Sequence, residues 1–217
     1  MNPIHIFYHI GAMNHYREVV AEQINLLDES NLLSNATLHV GKVGLGEFKD
    51  LLPSDKVEIM FDLDNINLGE GPTLNELQHF CNRSHELVNI LYMHTKGVSD
   101  DNSKEPRLTA TRDWRHMMEY FCISYWRQCI QKLEDGFNAV GCNWYTQPWP
   151  HFSGGFWWAT SDTIKRLPPL QVRERLDCER FIGTGPVKNV YSFHNSNWPH
   201  YQLPYPNENY FLLDFPK

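Results

Sequence analysis

The sequence predicts an α/β protein with a central, mostly parallel mixed sheet flanked by helices. Two observations carry this. Short β-rich apolar runs alternate with stretches whose apolar residues recur at helical spacing. In addition, the stretch Ile90 to Gly97 (ILYMHTKG) joins a buried strand directly to polar chemistry. Ile90, Leu91, Tyr92 and Met93 read as strand, and His94, Thr95, Lys96 and Gly97 cannot belong to an apolar core. Open α/β sheets hold their ligands at the carboxyl ends of buried strands. An imidazole, a hydroxyl, an ammonium and a permissive glycine in succession suit a phosphate-bearing ligand. The plain alternative is a strand end turning into a solvated loop.

The elements follow in order. Pro3 to Ile10 (PIHIFYHI) opens as a strand, Gly11 ends it, and His15 to Asp28 places Tyr16, Val20, Ile24 and Leu27 on one helical face. Ala36 to Val40 is a second strand, closed by a glycine-punctuated loop, GKVGLGEF, whose spacing is not the dinucleotide fingerprint. Lys56 to Phe61 is a third. Asp62 and Asp64 after it form an Asp-x-Asp, which can hold a divalent cation but is common in solvated turns. Thr73 to Glu76 (TLNE) makes a capping box, so a helix is expected from Thr73, leading into the Ile90 strand. The segment VSDDNSKEPRLTATR is polar and aperiodic, and is expected to be a mobile loop that closes over a ligand. A long helix is expected from Asp113, its candidate cap, through Leu133, then a strand from Phe137 to Cys142 and a short helix from Thr160 to Leu167. The tail is loop-rich and aromatic, and no repeat or domain boundary interrupts the chain.

The totals exclude several classes. With 217 residues and a net charge of −7, the chain can fold as one large domain and has no basic footprint for nucleic acid or an anionic membrane. No apolar run approaches the roughly 18 residues of a membrane span, and the start lacks a basic segment followed by a long apolar one. A soluble, cytoplasmic protein is expected. Five cysteines without a Cys-x-x-Cys pair fit buried free thiols. Eleven histidines without helical His-x-x-x-His spacing argue against a metal-dependent hydrolase.

Asn143 to Ala159 (NWYTQPWPHFSGGFWWA) concentrates four tryptophans, two prolines and the pair Gly154-Gly155. Such rings either close one end of the core or serve as platforms for a sugar, with His151 and Ser153 as polar partners. Taken with ILYMHTKGVS, GPTLNEL (71–77), DWRHMMEYF (113–121), GCNW (141–144), PHFSGGFWWA (150–159) and the CERFIGTG region (178–185), the sequence resembles nucleotide-sugar glycosyltransferases of the GT-A fold. More narrowly, it resembles the branch from large DNA viruses and bacteria that carries an "ILY-x-HTKG" strand and a "PHFSGxFWWA" segment. It is also similar to viral transferases that build capsid glycans.

The resemblance implies a single Rossmann-like GT-A domain over 1–217. Residues 1 to about 110 would bind the nucleotide sugar, and about 111–217 would shape the acceptor side. It implies that Tyr8, His9, Ile10 and Gly11 hold base and ribose and that Thr73 and Asn75 lie near the donor. His94, Thr95 and Lys96 would stand where most GT-A enzymes carry the Mn²⁺-binding Asp-x-Asp. Either Lys96 meets the leaving diphosphate directly, assisted by His94 and His194, or a metal such as Mn²⁺ bridges it to His94, His194, Asp62 or Asp64. Glu179 is the candidate catalytic base and Asp113 the runner-up; the bland reading of Glu179 is a surface carboxylate beside Arg175 and Arg180. Trp144, His151, Ser153 and Trp157 are the acceptor-side candidates. A UDP-hexose or UDP-deoxyhexose is the expected donor and a glycan, such as a viral capsid glycan, the acceptor. The alternative is a non-catalytic carbohydrate-binding module.

Overall fold

The computed structural model describes residues 2–100 and 105–211. The chain runs β1 (Ile4–Gly11), α1 (Tyr16–Glu29), β2 (Ala36–Val43), β3 (Val57–Leu63), α2 (Gly71–Arg83) and β4 (Asn89–His94). It continues through α3 (Arg107–Glu119), a π-helical turn (Tyr120–Ser124), α4 (Trp126–Glu134) and β5 (Ala139–Gly141). The remainder comprises β6 (Trp144–Tyr145), β7 (His151–Phe152), β8 (Trp157–Thr160), α5 (Ser161–Lys165), α6 (Leu176–Arg180) and β9 (Val190–Ser192).

Seven strands form one mixed sheet in the order β3-β2-β1-β4-β8-β5-β9, and β6 pairs with β7 apart from it. β1 lies parallel to both β2 and β4, and β3 is parallel to β2. β8 runs antiparallel between β4 and β5, while β9 is parallel to β5. The expected α/β architecture, a mostly parallel mixed sheet covered by helices, is therefore present. β1 is the switch point: the sheet first grows one way to β2 and β3, then the other way to β4.

Alternation along the strands sorts side chains between two layers. On one face Ile6, Tyr8, Ile10, Leu91, Met93 and Trp158 pack with Val20, Leu27, Met118 and Cys129 of α1, α3 and α4. On the other, Phe7, Ile90, Tyr92 and Trp157 pack with Leu74, Leu77 and Ile164 of α2 and α5. All five cysteines are buried and free, as expected. No helix among the described residues is long and apolar enough to cross a membrane.

Several boundaries differ from expectation. β2 continues through Gly41, Lys42 and Val43, because Gly41 lets the Phe61 ring and the Thr73 hydroxyl close against its backbone. The first part of the expected glycine loop is therefore strand. α2 begins at Gly71 rather than Thr73, with Pro72 in its first turn; the Thr73 hydroxyl bonds to His9 instead of capping the helix. α3 begins at Arg107, so Asp113 is interior and caps nothing. The expected continuous helix is broken by the π-turn, which leaves the Cys122 carbonyl to accept from Trp158 Nε1 at 2.8 Å. Part of the expected mobile loop (101–104) lies outside the described residues; Val98 to Asp100 and Pro106 to Thr111 are turn and helix. Thr160 does cap α5, accepting from the Thr163 amide at 3.3 Å.

A buried polar network supports the end of β4. Gln23 accepts from the Tyr8 hydroxyl at 2.6 Å and donates to Glu119 at 2.8 Å and to the His94 carbonyl at 3.2 Å. Arg115 pairs with Glu119 at 3.2 Å and with Glu22, and donates to the Lys96 carbonyl at 3.4 Å. Burying these groups is tolerable because ion pairs and hydrogen bonds within the network offset much of their desolvation, Arg115 Nε meeting Glu119 by charge without a hydrogen bond. Gln23→Ala would leave the buried Tyr8 hydroxyl without its partner and Glu119 with Arg115 alone, and should lower unfolding free energy by at least about 2 kcal/mol in urea titration.

Candidate active site

The carboxyl ends of β1 and β4 open into a cleft of about 530 Å³. His9 and Gly11 contribute from β1, and His94 to Asp100 from β4 and the turn after it. Ile66 to Glu70 form the wall ahead of α2, Arg107 and Thr111 come from α3, and the stretch 172–175 with Cys178 and Tyr201 closes the rim. The site therefore draws on residues from both sides of position 110.

Lys96 is the centre of the charge distribution. It is 3 % exposed, with Nζ 4.0 Å from the Trp114 ring centroid and 5.2 Å from that of Tyr201. Its hydrogen bond to the Tyr201 hydroxyl is 3.4 Å long. No carboxylate among the described residues is within ion-pair distance of it, so two electron-rich rings are its nearest support, with the Glu70 carboxylate acting on it from farther across the cleft. Arg173 and Arg175 add cations at the rim, whereas Arg107 is already paired with buried Asp100 at 2.9 Å.

His94 lies at the floor. Gly154 and Gly155, at φ 98° and 88°, form a turn against it. A Cβ on Gly154 would fall 2.3 Å from the Met118 sulfur, and one on Gly155 would fall 3.1 Å from His94 Nε2. Both positions thus demand glycine for conformation and for space. Because a carbonyl can only accept, the 2.8 Å contact between His94 Nε2 and the Gly154 oxygen places the proton on Nε2. His9 is tied to the Thr73 hydroxyl at 2.9 Å. Burial, partly offset by Glu70, lowers the pKa of His9 to about 4, and burial also lowers that of His94. Both rings are therefore neutral at pH 7. Thr95 accepts from the Gly11 amide at 2.9 Å, which locks the two strand tips together.

Of the residues named from sequence, His9, Gly11, His94, Thr95 and Lys96 meet in this cleft. Tyr8 and Ile10 are removed from the donor set: strand alternation turns them into the core on the α1 and α3 side. Thr73 is fully buried behind His9, and Asn75 does not line the cleft. Trp157 is corrected from sugar platform to core, since it is 2 % exposed and stacks on Tyr92 with centroids 5.3 Å apart. Trp144 packs edge-on against Phe152, His151 bonds the Trp149 carbonyl, and Ser153 donates its amide to Asn143. These three belong to the β6–β7 region outside the cleft. Glu179 lies beside the cleft residue Cys178, and its charge acts on His94. Arg180 pairs with Glu174 and Asp177, and no ion pair among the described residues engages Glu179. Asp113 sits on α3 towards Tyr210.

The expected metal ligands do not converge. His94 Nε2 is committed to Gly154, His194 Nε2 bonds the Tyr205 hydroxyl at 2.9 Å, and Asp62 pairs with Lys42 at 2.6 Å. Among the described residues no group of three or more His, Cys, Asp or Glu side chains could hold a metal ion. The donor set named from sequence therefore does not fit Mn²⁺.

Sequence reasoning missed Glu70 and Arg173, and it noted Tyr201 only as part of an aromatic tail. Glu70 lines the cleft and accepts from the Tyr92 hydroxyl at 2.7 Å. Its only signal in the sequence was a carboxylate between two glycines just ahead of a helix.

Residues 4–196 match the model of a family described as a domain of unknown function, DUF8361, and the chain belongs to that family. A search of curated proteins finds no match. Among solved structures, this chain is similar to a crystal structure named "putative nucleotide-diphospho-sugar transferase" from Desulfovibrio desulfuricans G20. The two are 10 % identical, with a TM-score of 0.47, over 90 % of this chain and 81 % of the other.

Three buried histidines and the half-buried His5 set an acid limit. His5, His9, His39 and His200 are each lowered from 6.5 to about 4, chiefly by burial. Between those values the unfolded chain binds more protons than the folded one, so stability is complete above pH 6.5 and declines as pH falls towards 4. Melting curves across that range should show the decline, and His9→Asn should make it shallower.

Proposed function

We propose that the protein is a glycosyltransferase that moves a sugar from a nucleotide-sugar donor to a glycan acceptor. The observation that carries this reading is Lys96, a buried ammonium caged by two rings just beyond β4, beside the switch strand β1 of the mixed sheet, with no carboxylate in ion-pair distance among the described residues. A cation held this way is preorganised for an anion, and a leaving nucleoside diphosphate develops such charge. The sheet order and the sequence resemblance to GT-A transferases agree with it. A carbohydrate-binding module would have little use for such a group, and the burial of Trp157 and Trp158 removes much of the aromatic surface that favoured one.

In this reading Gly11 and Val43, at the β1–β2 end of the cleft, receive base and ribose, and Lys96, Arg173 and Arg175 neutralise the diphosphate. The donor is a UDP-hexose or UDP-deoxyhexose, and a viral capsid glycan is the acceptor that the resemblance suggests. For inversion at the anomeric carbon the acceptor hydroxyl must lose its proton as the new bond forms, and Glu179 is the carboxylate assigned to take it. Asp113, directed towards Tyr210, is the weaker choice. His94 and His9, both neutral, shape the floor.

Three measurements test the assignment. Lys96→Met should weaken UDP binding by about tenfold or more in isothermal titration, because a charge-assisted contact is lost. An unchanged affinity would remove the phosphate role. Turnover should survive EDTA, since fixed cations carry the charge; a loss restored by Mn²⁺ would return that role to a metal. Glu179→Gln should lower transfer by about two orders of magnitude while donor affinity is retained.

A further inference from the structure

Glu70 does not belong in a site made for phosphate alone. Its carboxylate lines the cleft that holds Lys96, and an anion there repels any diphosphate set against it. The fold nevertheless fixes it in place. Gly69, at φ 54°, turns the chain just ahead of it, and Tyr92 donates its hydroxyl to Oε2 at 2.7 Å. Tyr92 is itself clamped against Trp157. A Cβ on Gly155 would stand 3.9 Å from Oε2 and 3.1 Å from His94 Nε2, which puts Glu70 at the β4–β8 end of the crevice. Gly11 and Val43 line the opposite end, above β1 and β2. Among the described residues no donor is bonded to the other carboxylate oxygen, Oε1.

We propose that Glu70 Oε1 accepts hydroxyl groups of the transferred sugar and so determines which hydroxyl pattern the cleft takes. The inference rests on the nucleotide-sugar reading and extends it to the sugar end of the donor. A carboxylate offers acceptors only, and the groups on a hexose that can meet it are its hydroxyls. With Oε2 held by Tyr92, Oε1 has a fixed direction rather than a freely rotating one. Its separation from the β1–β2 wall keeps it clear of base and ribose. Desolvation works against the charge, yet His94 and His9, which gain protons only in acid, together with the Tyr92 hydroxyl and Lys96 hold Glu70 at about 2. It therefore stays an acceptor throughout the physiological range and makes a poor proton shuttle.

Isothermal titration of the wild type with UDP, GDP and dTDP, and with their glucose conjugates, defines the test. For whichever nucleotide binds, Glu70→Gln should leave affinity for the diphosphate within about twofold and weaken the glucose conjugate by about tenfold or more. Tyr92→Phe, which frees Oε2, should move the conjugate in the same direction by a smaller factor. Conjugate affinity unchanged in Glu70→Gln overturns the proposal. So does an equal loss for diphosphate and conjugate, which would put the contact on ribose or report a disturbed cleft. Thermal melting of both variants checks folding, and Glu70→Asp is the substitute should the Gln variant not fold. A wild type that binds none of the six compounds would instead sink the transferase reading itself.

Discussion

The parallel pairing of β1 with β4 is the constraint on which the rest of the molecule depends. It sets His9 beside His94 in register and leaves both strand tips facing one crevice, because the sheet has grown in opposite directions on either side of β1. Each backbone group in the two tips must still find a partner, and the Gly11 amide finds the Thr95 hydroxyl. Once the tips are joined, the chain leaving β4 has little choice of path. Lys96 then falls between α3 and the C-terminal segment, where Trp114 and Tyr201 receive it.

That arrangement is costly in isolation, and its support comes from below. A lysine almost removed from water, a half-covered carboxylate and two neutral imidazoles lie within one cleft, and each would be destabilising alone. The network of Gln23, Glu119 and Arg115 anchors the backbone carbonyls of His94 and Lys96, so that the strand end cannot relax towards solvent. From the opposite layer, Trp157 holds Tyr92, and Tyr92 holds Glu70. The aromatic segment expected to touch a sugar thus acts one step removed, by fixing the groups that line the cleft.

The sheet strands and the apolar helix faces were legible because burial imposes periods of two and 3.6 on the residue pattern. ILYMHTKG was legible for a related reason, an abrupt change from apolar to donor-rich residues at a strand end. What failed depended on long-range partners. Thr73 looked like a helix cap until His9 was seen to claim its hydroxyl, and Trp157 looked like a platform until β8 turned out to lie inside the sheet. Glu70 had no local pattern to betray it, because its environment is assembled from β4, β8 and α2 together. β9, three residues in a loop-rich tail, was invisible for the same reason: its strand character comes from β5.

The order of assembly follows from where β9 pairs. Ala139 to Gly141 find their parallel neighbours only at Val190 to Ser192, and the rim residue Tyr201 comes later still. On the ribosome, β1, β2 and β4 emerge early and can begin to dock while one side of the crevice is missing. Until the last stretch arrives, Lys96 has one aromatic wall instead of two, and β5, which β9 will cover, is left as an open edge. Contacts separated this far along the chain are slow to close. A truncated or stalled product would thus carry a nearly complete sheet around an unfinished centre, and would be prone to self-association before it could hold a ligand.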